Sequence, residues 1–363
     1  MTACMEPGRR PLARIVAGLC AFAAFVLLGA SSSCVTTAVE DDPVLSATPV
    51  VIEVPEAPTG TDRTLVEFYD SVLAQLHEAH QDRDQPRLQA LIETYLRAGV
   101  PEWARKRLVG FRALALGLQF ELHCEQRAEF AVPPPAAAIP GSVEAPSRDS
   151  IGVPLDYVLT LPPPPDGPWR LGGRADRDPV SFRLALVIRE HFVDGSQKKI
   201  EDAEVVHLDH ALVFDVEPLQ LPVRLDLGDS EAVRRDVDIQ VELLPGYVTV
   251  GDERAPIRRT VIASGRAVQW PPGHEVIRTS PLKTLVNAMK LGDREHFKHV
   301  RLAAEFASDA ERTEVENSLM EWVRLGRADQ ALVAMATLRA ITKDASAPIG
   351  DRDAWLLWWE SRR

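Results

Sequence analysis

Residues 180–188 read VSFRLALVI, and this stretch decides how the middle of the chain folds. Val180, Phe182, Leu184, Leu186 and Ile188 recur at every second position, the period of a strand with one buried face. Asp194-Gly195 follows, a dipeptide that reverses a strand into a hairpin. Further on, Val237, Ile239, Val241 and Leu243 alternate with Asp236, Asp238, Gln240 and Glu242 until Pro245-Gly246 breaks the pattern. Tyr247–Val250 and Pro256–Ala263 continue the series. Six to eight short strands with turns between them predict an antiparallel β-sandwich over 180–272. No long helical pattern interrupts them, which argues against a parallel α/β sheet.

Upstream, residues 131–179 are rich in proline, including Pro133-Pro134-Pro135 and Pro162 to Pro165. Proline donates no amide hydrogen and blocks helix interiors and central strands. The expectation there is loop or polyproline around one strand, Leu155–Leu161. Before it, Leu114, Leu116, Leu118, Phe120 and Leu122 alternate, so 111–179 is expected to hold strands with proline-rich loops. Earlier still the period is helical. Leu65, Phe68, Tyr69, Val72, Leu73 and Leu76 form one stripe; Leu88, Leu91, Ile92, Tyr95 and Leu96 form another. Pro86 fits a first helical turn and Gly99 a stop. A helical hairpin over 62–110 is predicted, with Pro101 to Gly110 as a third short helix.

Downstream, helices return at Ser280-Pro281, a cap followed by a first-turn proline. Leu282, Leu285, Val286 and Met289 form a stripe ending before Gly292, and helices are expected over 296–307, 310–325, 328–341 and 352–360. The stretch 327–342, RADQALVAMATLRAIT, resembles a HEAT-type repeat helix. That resemblance implies a helical array over 280–363 and, with it, a protein-binding surface. Trp355, Trp358 and Trp359 share one helical stripe near the end. They read as the cover for the last helix of the array, or as a stripe that interacts with a peptide or sugar.

The N-terminus carries an address. Arg9, Arg10 and Arg14 precede an apolar run, Ile15 to Ala30, then Ser31-Ser32-Ser33 and Cys34. Charged, apolar, small is the order of a secretory signal peptide, and the run is short of the ~18–20 residues that span a bilayer. The segment resembles bacterial lipoprotein precursors, in which a small-residue box precedes a cysteine that is lipidated and becomes the mature N-terminus. Ser32 and Ser33 match that box, and Ser31 stands where the family favours Leu. The resemblance implies a signal over 1–33, a lipid on Cys34 and membrane anchoring; ordinary cleavage and an uncleaved anchor are the alternatives. The Arg pair alone is a trace of the twin-arginine export motif. Residues 34–61 hold Glu40, Asp41, Asp42 and four prolines with no periodicity, a solvated tether.

Composition fits an exported soluble protein. The chain has 363 residues, 45% hydrophobic and 26% charged, which excludes wholesale disorder and a polytopic membrane protein. Acidic residues outnumber basic ones 53 to 41, for a net charge of −12, and removing 1–33 makes it more negative still. Such a chain repels phosphate backbones, so nucleic acid is not expected as a partner. Arg105-Lys106-Arg107, Arg234-Arg235 and Arg258-Arg259 read as solvated faces. Of the four cysteines, Cys4 and Cys20 fall before or within the signal, Cys34 is the lipid candidate, and Cys124 is left as a buried apolar residue.

Catalytic motifs are missing: there is no GxSxG, P-loop, GxGxxG, HExxH or EF-hand. His77 and His80, and His296 and His299, are paired at i,i+3, the spacing of one helix face. Neither pair supplies the three or four ligands zinc needs. His207 and His210 point to opposite faces of a strand. Asp236, Asp238 and Glu242 share a strand face, which offers paired carboxylates or simply an exposed sheet surface. No catalytic residue, metal ligand or cofactor is therefore assigned.

The sequence thus predicts an α+β multidomain protein: an N-terminal helical segment, an antiparallel β-sandwich and a C-terminal HEAT-like array. It predicts an exported, lipid-anchored envelope protein that binds a protein partner as a non-enzymatic module, with enzymatic activity left open. The alternatives are an envelope hydrolase or carbohydrate-active enzyme with its site at the sandwich–helix junction, or a glycan-binding sandwich.

Overall fold

The computed structural model describes residues 62–97, 100–133, 148–164, 167–174, 178–208, 211–344 and 346–362. The expected signal, the tether, Cys34, Asp209 and His210 lie outside the described residues. The alternating stretch forms β4 (Val180–His191), with every second side chain buried. It pairs antiparallel with β5 (Gln197–Leu208) on one side and β8 (Arg234–Leu243) on the other. Register places Phe182 opposite Leu243, Leu184 opposite Val241, Leu186 opposite Ile239 and Ile188 opposite Val237. A one-residue slip would turn this apolar ladder to the other face, so the pairing is strongly specified. β11 (Thr260–Gln269) completes the sheet in the order β11-β8-β4-β5.

The hairpin between β4 and β5 turns where expected. Gly195 takes φ +84°, a left-handed conformation that favours glycine, and Asp194 accepts hydrogen bonds from the Ser196 amide and hydroxyl. Two further antiparallel sheets complete the middle region. One joins β10 (Glu253–Ile257), β9 (Gly246–Val250), β3 (Trp169–Gly172) and β6 (Leu212–Phe214). The other joins β1 (Glu129–Ala131), β2 (Leu155–Leu161) and β7 (Leu219–Leu225). Leu155–Leu161 is thus the strand expected among the prolines, and all three sheets contribute to one apolar core. Pro222 and Pro256 both lie on edge strands, where the missing amide costs no ladder bond.

The strand expected over 114–122 is not there. α3 runs as one helix from Glu102 to Arg127 behind α1 (Asp62–Gln81) and α2 (Gln85–Arg97). The reason is layering. α3 has apolar neighbours on two sides: Leu108, Ala115 and Leu118 pack on α1 and α2, while Phe120 and Cys124 enter the sheet core, where Phe120 stacks on Trp169. A helix with two buried faces loses the single 3.6-residue stripe, and its superposed stripes imitate period two. Gly117 is where the helix comes closest to β10; a Cβ there would lie 2.1 Å from the Pro256 carbonyl oxygen.

Past the sheets, α4 (His274–Thr279), which the sequence did not predict, leads into α5 (Pro281–Leu291), α6 (Phe297–Phe306), α7 (Arg312–Leu325), α8 (Ala328–Thr342) and α9 (Arg352–Ser361). These share a second core built on Val300, Leu319, Val323, Leu338 and Trp355. Pro281 occupies the first turn of α5 as expected, but the Ser280 hydroxyl makes no capping bond; its backbone carbonyl accepts from the Thr284 amide instead. Among the described residues no helix is long and apolar enough to cross a membrane.

Candidate functional site at the sheet–helix junction

The tip of the β4–β5 hairpin lies on α8. Val193 packs against the helical core, and a Cβ on Gly195 would meet that of Ala336 at 3.1 Å. Beneath the tip runs a chain of charged contacts. His191 lies 2.9 Å from Asp236, whose other oxygen accepts two hydrogen bonds from Arg234. Arg234 reaches Glu305 on α6 at 3.5 Å, and Glu305 accepts from Arg301 at 2.9 Å. Arg301 then donates to the Ala336 carbonyl on α8 at 2.7 Å. Four elements are joined through alternating charges, so each desolvated group has a partner. A second buried pair, Arg235 with Glu190, is completed by Gly228 and Gln269.

Between the hairpin tip and α6, α8 and α9 opens a cleft of about 510 Å³, whose walls include Phe192, Arg301, Leu332, Arg339, Ile349 and Trp355. Leu332 is 45% exposed and Ile349 77% exposed, so both present apolar surface at the rim. Arg339 lines the same cleft and forms no ion pair among the described residues. Gln197, the first residue of β5, also lines the cleft. β5 is an edge strand of its sheet, and exposed Lys198 and Lys199 follow Gln197 along it.

The acidic ladder is resolved differently from the exposed face expected. Asp236 and Glu242 are buried, and each carboxylate has its own cation. Asp238 pairs with Arg189 and Arg266, and Glu242 accepts from Arg183 and Arg259. Burial alone would raise the Glu242 pKa, but the two guanidiniums hold its carboxyl below the usual range. The carboxylates are separately neutralised and do not converge on a shared space.

The basic runs divide. Arg234-Arg235 belongs to these internal networks and is not a solvated face; Arg258-Arg259 stays exposed while Arg259 pairs with buried Glu242, and Lys106 and Arg107 make surface pairs with Glu102 and Asp70.

The histidine pairs do not assemble a metal site either. His77 is exposed and bonds Gln81, while buried His80 accepts from Arg258. His296 and His299 meet edge to face with ring centroids 5.6 Å apart, and His296 is engaged by Asp293. His207 bonds Ser181 on the neighbouring strand. Cys124 is buried, and that burial, with Glu125 and Glu121 nearby, pushes its thiol up to about 12, where it is inert as a nucleophile. Trp355 and Trp359 point into the helical core, while Trp358 sits at its margin and donates to Ser346.

A second polar cluster lies where α1 and α3 meet the sheets. Buried Glu121 accepts from the Arg258 amide at 2.6 Å, and Arg83 bridges to Glu125 at 2.7 Å. Burial raises the Glu121 pKa against the pull of that amide, Arg83 and Arg258; burial and Arg258 lower that of His80. Both groups are pushed toward neutrality.

One cluster escaped the sequence entirely. Among the described residues, Asp149, His274 and Glu275 bring a ligand atom each to within 4.8 Å of the others. His274 and Glu275 open α4, and Asp149 is fixed by the Trp270 amide donating to its carbonyl at 2.7 Å. No local spacing could have found it, because Asp149 lies on the far side of the whole sheet region in sequence. No protein-family model matches this chain, and no curated protein matches it.

Proposed function

We propose that this chain is an exported, lipid-anchored envelope protein that acts as a non-enzymatic docking module, with the junction cleft as its binding site. The observation that carries the reading is Arg339, unpaired among the described residues, in one cleft with exposed Leu332 and Ile349 and with Gln197, the head of an edge strand. An extended partner segment could place an apolar residue in the cleft and a carboxylate on Arg339, then pair its backbone along β5 past Lys198 and Lys199. An acidic, extended segment of another protein is therefore the proposed occupant. The separate neutralisation of Asp236, Asp238 and Glu242 weighs against the hydrolase alternative.

The finer architecture belongs to the same proposal. We read the three sheets as layers of a sandwich and the α5–α9 region as a HEAT-type array. The shared sheet core and the contacts of α5 with α6 and α7 with α8 support this reading. Lipidation at Cys34 places the body outside the cytosol at the end of the 34–61 tether.

A photo-crosslinking residue at position 332 in the native cell tests the docking reading. A discrete crosslinked partner is expected, and Arg339→Glu should abolish it without lowering Tm, since an exposed substitution changes stability by only about 0.5 kcal/mol. Crosslinking that ignores Arg339→Glu overturns the reading. Intact mass of membrane-extracted protein tests the anchor: a diacylglyceryl adduct on Cys34 supports it, and a retained Met1 defeats it.

A further inference from the structure

We propose that Asp149, His274 and Glu275 form a binding site for a divalent transition-metal cation of the zinc type. His274 is wholly buried, and its Nδ1 lies 3.0 Å from the Pro271 carbonyl, to which it donates. With a single proton on the ring, the lone pair is then on Nε2. This nitrogen is sealed from solvent, makes no hydrogen bond, and has Asp149 Oδ1 3.2 Å away. Two acceptors then face each other, and either a metal cation or a second ring proton between them removes the conflict; the donor set around them favours the metal.

The ligand chemistry fits a metal. A ligating histidine ordinarily donates its other ring N–H to a carbonyl or carboxylate, as Nδ1 does here to Pro271. Ligand atoms about 2.0–2.1 Å from a tetrahedral zinc stand about 3.3–3.4 Å apart, close to the observed Nε2–Oδ1 separation. One imidazole and two carboxylates are a borderline-hard donor set suited to zinc and its neighbours. Glu275 is half-exposed, with its carboxylate 3.6 Å from Nδ1, and it turns from there to close the solvent side of a cation held by Nε2 and Asp149. Three protein ligands leave at least one position for water.

The site is also preorganised. The Trp270 amide donates to Asp149 and the Ile151 amide donates to Trp270, each at 2.7 Å, so the Asp149 backbone is in place without a metal. Arg278 lies 3.2 Å from the outer Asp149 oxygen and rests over the Phe306 ring. It orients the carboxylate, and its charge lowers the affinity below that of an uncompensated dicarboxylate site. The bound cation would clip the segment around Asp149 to the start of α4, joining the sheet region to the helices.

The full-length protein, stripped with chelator and titrated with Zn²⁺, tests this directly. One saturable equivalent is expected, with visible absorption when Co²⁺ is substituted. Glu275→Gln and Asp149→Asn should each weaken binding at least about tenfold. His274→Gln should abolish it, and the Nε2 nitrogen-15 resonance of His274 should move on adding zinc. Glu275→Gln changes a solvent-exposed group, so its result stands even if His274→Gln fails to fold. The proposal is overturned by the absence of a saturable equivalent. It is overturned equally by binding that ignores Glu275→Gln and Asp149→Asn, which would place zinc on the His77–His80 or His296–His299 pair. A doubly protonated His274 ring unchanged by zinc would also sink it, since the contact would then be an ion pair with Asp149 alone.

Discussion

Helices meet the sheets at two seams, and the seams are built on opposite plans. At the N-terminal seam, α3 lies so close to β10 that Gly117 leaves no room for a Cβ, and burial shifts the pKa values of His80 and Glu121 in the direction of their neutral forms. At the C-terminal seam acids and bases are paired one against another, Asp236 with Arg234, Arg234 with Glu305 and Glu305 with Arg301. There the hairpin tip touches α8 and leaves a cleft beside it. The seam closed by van der Waals contact at Gly117 keeps only a smaller cleft, about 310 Å³, beside α2, α3 and Glu253 of β10. A seam spanned by long charged side chains holds its elements apart, and the gap can be used.

The contrast can be broken most forcefully at Glu305. Glu305→Ala leaves Arg301 and Arg234 without their shared carboxylate in a desolvated position, and a loss of about 3–5 kcal/mol is expected. Chemical denaturation measures it; a loss under about 1 kcal/mol would mean that water enters the seam and the charges are solvated. Next in size is the N-terminal seam. Gly117→Ala should cost about 1–3 kcal/mol by overpacking. Gly110→Ala on the same helix, where a Cβ meets nothing within 4 Å, should instead gain up to about 1 kcal/mol of helix propensity. Equal effects at the two glycines would refute the close contact.

The smallest effects are those of pH, and they have opposite signs. The folded pKa of His80 is depressed, so its contribution is present above pH 6.5 and is lost as pH falls through the depressed value. The folded pKa of Glu121 is raised, so its contribution is present below pH 4.5 and is lost as pH rises through the raised value. Tm measured from pH 4 to 8 should therefore show wild type losing stability on acidification relative to His80→Gln. Relative to Glu121→Gln, it should lose stability as pH rises. Parallel profiles for all three proteins would show that neither group is perturbed.

Legibility followed the range of the signal. β4 and β8, the Asp194-Gly195 turn and the helices from Pro281 onward were readable because each is written within about ten neighbouring residues. α3 was misread because its two partners, α1–α2 and the sheets, each claim a face, and no single period survives. At the candidate site, Trp355 was read as part of a helical stripe, and the junction was named as the site of the hydrolase alternative. The charged relay was not foreseen, because His191 and Asp236 are 45 residues apart and only strand register makes them neighbours.

Pattern along the chain determined which segments alternate, which coil and where they stop, because backbone periodicity and turn chemistry are local properties. Tertiary structure decided what each polar group faces. Packing turned an apparently exposed acidic ladder into ion pairs, with Asp236 and Glu242 buried, and it brought Asp149 to His274. Charge pairing acts through space, over a few ångströms, between residues whose separation along the chain carries no trace of it.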